Sequence, residues 1–258
     1  AGYVDIEIVA FPQSGMITRP GTVEMMDAAL SMGADVVGGL DPCGIDRDPR
    51  AHLDAIFGLA EKHGKPIDIH LHERDLLGGY STEEIIARTL AHGMQGKVTI
   101  SHAFCLGGMD RSYVGALQEQ LAEARIHIIT TAPASAPVPA VKELKELGIL
   151  TGSGSDGFRD TWGPYGNGDM LERAMFIGQR NNLRRDDEVE IALDVCTFGG
   201  AAIMELKGYG LASGDKADAV LVEGETLTDA VVSRAPRKLV LKGGKVTARD
   251  GTCVLEAP

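Results

Sequence analysis

Imidazoles and carboxylates in this chain fall where short apolar runs end. His70, His72 and Glu73 close the segment IDIHLHE, His102 closes VTISH, and Asp156 follows ILTGSGS. Imidazoles and a carboxylate converging from separate strands make a site for a divalent metal ion, and a second carboxylate beside it can act as acid and base. Gln13 stands just past the first such run. Each residue taken singly has a blander use. A lone strand-end histidine is more often a hydrogen-bonded structural group, a lone aspartate caps the loop or helix that follows it, and a lone glutamine belongs to a turn. The grouping therefore carries the argument. His52, His63, His92 and His127 lie on expected helices or at a strand start, where structural or solvated roles fit better.

Two lookalikes fail. Gly152, Gly154 and Gly157 satisfy GxGxxG, but FRDTWGPYG follows, and no helix N-terminus is there to receive a pyrophosphate. Pro42 and Cys43 lead to Gly44 and Ile45, so the PCxxC motif of the small zinc deaminases is missing.

The elements that must position these residues alternate. Strand-like runs at 4–11, 35–40, 66–72, 98–102, 127–131 and 149–153 are separated by helical periodicity at 23–32, 53–62, 83–90 and 114–124. Several runs are almost continuously apolar, as in strands covered on both faces. Ser81 and Glu84 form a capping box for the third helix, and Gly64 and Gly148 sit where helices stop. The spacing is about the 30 residues of a βαβ unit, and a closed barrel holds about eight such strands. Six visible units thus imply either an open doubly wound sheet or a barrel short of two units. Two more helical stretches at 169–180 and 187–206 precede a tail in which 217–222 and 238–246 read as antiparallel strands with glycine turns.

A chain of 258 residues with a formal charge of −12 repels phosphate backbones and anionic lipid, which argues against nucleic acid or membrane partners. No apolar run approaches a membrane span and no basic leader opens the chain. Cys43, Cys105, Cys196 and Cys253 are scattered without a CxxC pair and read as reduced thiols in the cytoplasm.

At these positions the chain resembles the amidohydrolase superfamily, in the branch of cytosine deaminase and N-isopropylammelide isopropylaminohydrolase. The likeness is carried by IVAFPQSG, DVVGGLDP, IDIHLHE, VTISHAF, SDGFRDTWGPYGNGDM and GDKADAVLV, in order along the whole chain. It implies an α/β fold: a (β/α)8 TIM-type barrel lacking its first strands over residues 1–208, and a small C-terminal β subdomain over 209–258. It makes His70 and Asp156 metal ligands, Glu73 and His102 catalytic, and Gln13 and Trp162 substrate-binding. The implied cofactor is one divalent ion, zinc or iron, and the implied partner a small heterocycle, with homo-oligomers common in the family. The implied reaction is hydrolytic attack on a ring carbon bearing an exocyclic amine. Glu73 carries the proton from water to the departing amine, and His102 stabilises the tetrahedral intermediate. Ser155 and Gly157 flank Asp156 where cytosine deaminases place a histidine and an acid, so the expected substrate is an amino-substituted pyrimidine, purine or triazine.

The family's first strand also ends in an HxH pair that supplies two metal ligands, and no segment before Gln13 carries one. The expectation is an N-terminally incomplete amidohydrolase whose sheet edges another chain or a rearrangement must cover. The alternative is an inactive remnant serving as an oligomerisation module. A binuclear site of the dihydroorotase kind needs a bridging lysine that DVVGGLDP lacks.

Overall fold

The computed structural model describes residues 3–256 and divides into two compact units, Glu7–Thr151 and a second that runs from Gly152 onward and includes the segment ending at Ile6. This division by compactness falls at Gly152, inside the last strand of the large sheet.

The first unit is a βα succession: β1 (Val9–Ala10), α1 (Thr22–Ser31), β2 (Val36–Leu40), α2 (Pro49–His63), β3 (Ile67–His70), α3 (Asp75–Ala91), β4 (Val98–Ser101), α4 (Arg111–Glu123), β5 (His127–Thr130), α5 (Val141–Glu146) and the start of β6 (Thr151–Ser153). The sheet order β1-β2-β3-β4-β5-β6 follows the chain, and the strands β1 to β5 pair in parallel. The α/β class with a six-stranded parallel sheet is therefore as expected. The first strand is much shorter than its apolar run suggests.

Alternation along β3 sorts its side chains. Ile67 and Ile69, then Leu71, are fully buried with Leu53, Ile56 and Phe57 of α2 and with Ile100, Leu117 and Leu121 in one core. Each such side chain contributes about 1.5–3 kcal/mol on burial. Asp68 and His70 point to the other face, with His70 opposite Ser101 of β4. The all-buried β2 carries a glycine pair for a spatial reason: a Cβ on Gly38 would lie 2.7 Å from both Ala10 O and the Phe11 ring. The missing side chain lets the end of β1 come down onto β2.

Helix ends follow local chemistry. Asp48 caps α2 by accepting from Ala51 N at 3.0 Å, Pro49 opens the helix, and left-handed Gly64 ends it. Gly148 likewise follows α5, a short helix without a strong periodic signal in the sequence. The capping box expected at Ser81 is not there. Helix α3 begins at Asp75, which places Ser81 in its interior and fully buried.

In the second unit α6 (Met170–Arg180), α7 (Asp186–Val195) and α9 (Leu227–Ser233) share a small core of Ala174, Val189 and Val231, and α8 (Phe198–Ile203) follows α7. The antiparallel tail expected from the sequence forms as β7 (Ala219–Val222), β8 (Arg237–Lys242), β9 (Lys245–Arg249) and β10 (Thr252–Cys253), in the order β10-β9-β8-β7. The run 238–246 is two strands, split at the left-handed Gly243 and Gly244, and β7 reaches β8 through α9 rather than a glycine turn. No helix among the described residues is long and apolar enough to cross a membrane.

Candidate active site

Most of the chemistry expected from the sequence lies at the C-terminal ends of β3 and β4 and just past β1, the end at which parallel barrels place their reacting groups. His70 is the last residue of β3. The ring centroids of His70 and His102 are 5.0 Å apart, and their candidate ligand nitrogens lie within 4.8 Å of one another. His70 Nδ1 is buried and has no hydrogen-bond partner among the described residues. An orphaned ring nitrogen of this kind is costly unless something binds it, so the donor set suits a metal ion. Burial, then the neighbouring His72 and His70, pushes His102 down to about 3, which keeps its ring neutral and able to donate a lone pair.

His102 and Ala103 both adopt left-handed backbone, with φ of 71° and 47°, as does Asp41 after β2 at 38°. Such conformations cost about 1–3 kcal/mol each for residues other than glycine and persist where the surroundings impose them. At His102 the imposition is visible, since its N–H donates to Ile129 O at 2.7 Å while the chain turns sharply off the strand.

Glu73 is only 7% exposed, and both of its carboxylate oxygens are hydrogen-bonded. Its Oε1 accepts from Cys43 N at 2.8 Å and Gly44 N at 2.7 Å, and its Oε2 accepts from the Ser81 hydroxyl. Cys43 and Gly44 belong to a single turn, Pro42–Asp46, within which Ile45 N donates to Asp41 O at 2.9 Å. Asp41 fixes the preceding residues: Oδ1 accepts from His72 N at 2.6 Å and Glu73 N at 3.2 Å, and Oδ2 lies 2.9 Å from His72 Nδ1. The His72 ring lies against His102 at 4.3 Å between centroids.

Gln13 is exposed on the turn after β1, where its N–H donates to Phe11 O at 3.1 Å. Phe11 meets His70 edge-on at 4.8 Å, so this turn stands beside the histidine cluster. Sequence reasoning thus named His70, Glu73, His102 and Gln13, which the first unit brings to one end of its sheet. It assigned no role to Asp41 and only a helix cap to Ser81. Asp41 carried a signal, a carboxylate at the end of DVVGGLDP, while Ser81 carried a misleading one.

Asp156 and Trp162 belong to the second unit. Asp156 is exposed and left-handed, φ 62°, three residues beyond the end of β6. Trp162 is 80% exposed in the loop before α6, its backbone N–H donating to Asp160 Oδ1 at 2.9 Å. Asp169, at the end of the same loop, caps α6 through Leu171 N at 3.0 Å and Glu172 N at 3.2 Å and also pairs with Arg237.

Parallel βα architecture thus brings imidazoles and a clamped glutamate to one end of a single sheet. Residues 5–254 match the model of an amidohydrolase family, and the chain belongs to that family. It is 32% identical to N-isopropylammelide isopropyl amidohydrolase of Pseudomonas sp. (strain ADP), over 97% of this chain and 62% of that protein. Among solved structures, it superposes on N-isopropylammelide isopropylaminohydrolase from Burkholderia multivorans ATCC 17616 with a TM-score of 0.94 at 51% identity, covering 97% of this chain and 64% of that one. It is also similar to 5-methylcytosine deaminase from Klebsiella pneumoniae liganded with 5-fluorocytosine, with a TM-score of 0.83 and 28% identity over 99% of this chain and 65% of that one. The chain thus spans less than two thirds of the length of each of these relatives.

Proposed function

We propose that this chain carries catalytic parts of a metal-dependent hydrolase that removes an exocyclic amine, as ammonia or an alkylamine, from an amino-substituted pyrimidine, purine or triazine. The observation that carries the proposal is the meeting of His70 and His102 at the ends of adjacent parallel strands, with the buried Glu73 held three residues past the end of β3. The names of the relatives, an isopropylaminohydrolase and a deaminase, support the same class of reaction.

His70 and Asp156 are the proposed metal ligands, offering an imidazole nitrogen and a carboxylate oxygen. One zinc or iron ion would supply Lewis-acid activation of water there. Glu73, held by the 42–46 turn and Ser81, takes a proton from the attacking water and returns it to the leaving nitrogen. The neutral His102 ring would stabilise the charge that develops at the attacked carbon. Gln13 reads the edge of the heterocycle, and Trp162 covers its face. The acidic net charge of −12 favours a small neutral ring over nucleic acid or an anionic surface as the partner. In this reading the six parallel strands are part of a β/α barrel, and the protein works as a cytoplasmic homo-oligomer.

Elemental analysis of the purified protein tests the proposal, together with amine release from N-isopropylammelide and 5-methylcytosine. Stoichiometric metal that is lost in His70→Ala and Asp156→Ala and kept in Glu73→Gln, with turnover lost in all three, is the expected result. Metal content near zero in the unaltered protein overturns it and favours the inactive remnant.

A further inference from the structure

The most heavily engaged polar group in the first unit lies outside the histidine cluster. Asp46, 5% exposed, accepts five hydrogen bonds. Oδ2 accepts from Met16 N at 2.8 Å and Ile17 N at 3.1 Å, and Oδ1 accepts from Thr18 N at 3.0 Å and Thr18 Oγ1 at 2.8 Å. The fifth partner is His52 Nδ1, 2.6 Å from Oδ2, on a ring that is fully buried. The other nitrogen of that ring, Nε2, is 3.4 Å from Leu40 N and accepts its proton, which fixes the tautomer with the hydrogen on Nδ1 and ties the pair to the end of β2. Left-handed Gly15, φ 104°, lets the loop close over this carboxylate, because a Cβ there would come within 2.6 Å of Asp46 Oδ1.

Asp46 is also the last residue of the Pro42–Asp46 turn, whose Cys43 and Gly44 N–H groups hold Glu73 Oε1. One end of a five-residue turn therefore grips the loop that carries Gln13, and the other end grips the proposed proton carrier. Burying a carboxylate in this way is unfavourable unless every lone pair is used, and here the donors are the loop itself. A carboxylate needed only to fill the core would be served as well by an apolar side chain.

We propose that Asp46, with His52 behind it, is a positioning residue that sets the Gln13 loop and Glu73 in one frame, so that substrate reading and proton transfer are aligned by the same turn. The substrate side of this inference rests on the function proposed above; the mechanical coupling does not.

Two readouts on the full chain test it. The first is residue-level amide exchange, which needs no substrate. In Asp46→Asn, exchange rises at least tenfold at Met16, Ile17 and Thr18 and also at Cys43 and Gly44. In Glu73→Gln, the rise at Cys43 and Gly44 extends to Met16–Thr18. His52→Gln, which keeps the carboxylate and drops its ring partner, moves the same amides less and serves if Asp46→Asn does not fold. Loosening confined to each variant's own partners, with no transmission across the turn, overturns the proposal. The second readout is the kinetic split on N-isopropylammelide and 5-methylcytosine: Gln13→Ala raises KM alone, whereas Asp46→Asn raises KM and lowers kcat, each at least fivefold. An Asp46→Asn effect on KM alone likewise overturns the coupling. If the unaltered protein turns over neither compound, the proposed function fails, and the exchange result still decides the coupling.

Discussion

The Asp41 carboxylate holds His72 at two points at once, its backbone N–H at 2.6 Å and its ring Nδ1 at 2.9 Å. The two contacts fix both the path of the chain leaving β3 and the rotation of the imidazole. Because His72 packs on His102, the orientation passes to the ring proposed to act beside the metal. Groups that orient ligands in this way typically matter by about 10–100-fold in affinity or activity.

Replacing the carboxylate should separate orientation from ligation. Asp41→Asn keeps an acceptor for the backbone N–H and weakens the charged contact to the ring. Turnover is expected to fall about tenfold in Asp41→Asn and about 100-fold in Asp41→Ala, while elemental analysis finds the metal content of the unaltered protein in both. Loss of metal in Asp41→Asn would place Asp41 closer to the ion than its contacts to residues 72 and 73 imply.

The buried Asp46 and His52 pair predicts acid sensitivity. Burial lowers the His52 pKa more strongly than Asp46 raises it, so the folded protein keeps this ring neutral at pH values where the unfolded chain binds a proton. Burial also opposes the Asp46 charge, but the hydrogen bonds from His52, Thr18 and Ile17 outweigh it and hold that carboxyl below its ordinary range. Both depressed values act in one direction: stability is full above the unfolded pKa and falls as pH drops. The unfolded values are about 6.5 for histidine and 3.9 for aspartate. His52 therefore acts first, below about pH 6.5, with a slope of up to about 1.4 kcal/mol per pH unit, and Asp46 adds to it below about pH 4. Urea unfolding of the unaltered protein at pH 7 and pH 5 should show this loss, and His52→Gln should show a smaller loss over the same interval. Equal slopes would remove His52 from the account.

Gly38 leaves no room for a side chain where β2 meets the end of β1. In Gly38→Ala the new methyl group meets the Ala10 carbonyl, which is backbone and cannot swing away, and the Phe11 ring. Overpacking of this kind costs typically about 1–3 kcal/mol. Thermal unfolding should register a lower Tm, and displacement of Phe11 from His70 should weaken metal retention in the same variant. A Gly38→Ala protein with unchanged Tm and metal content would mean that the β1 end moves freely.

Much of the architecture was legible because it is periodic. Runs of β-branched residues in IDIHLHE and VTISH, spaced by helical stretches, determine a parallel α/β succession, since only that arrangement covers both faces of such strands. The same alternation put His70 and Glu73 at a strand end, and the ordered motifs identified the family. Tertiary structure alone decided what each polar group does. Ser81 has the sequence neighbourhood of a helix cap, yet α3 starts earlier, because the chain after Glu73 turns directly into helix at Asp75, and its hydroxyl reaches back to Glu73. Asp46 and His52 look like loop and helix-surface residues, and their burial follows from the fold of the 12–18 loop, which no local pattern encodes. Periodicity is a property of neighbours along the chain and survives in the sequence. Hydrogen-bond partners some 30 residues apart, such as Met16 and Asp46, are chosen by packing and become visible only once the strands are side by side.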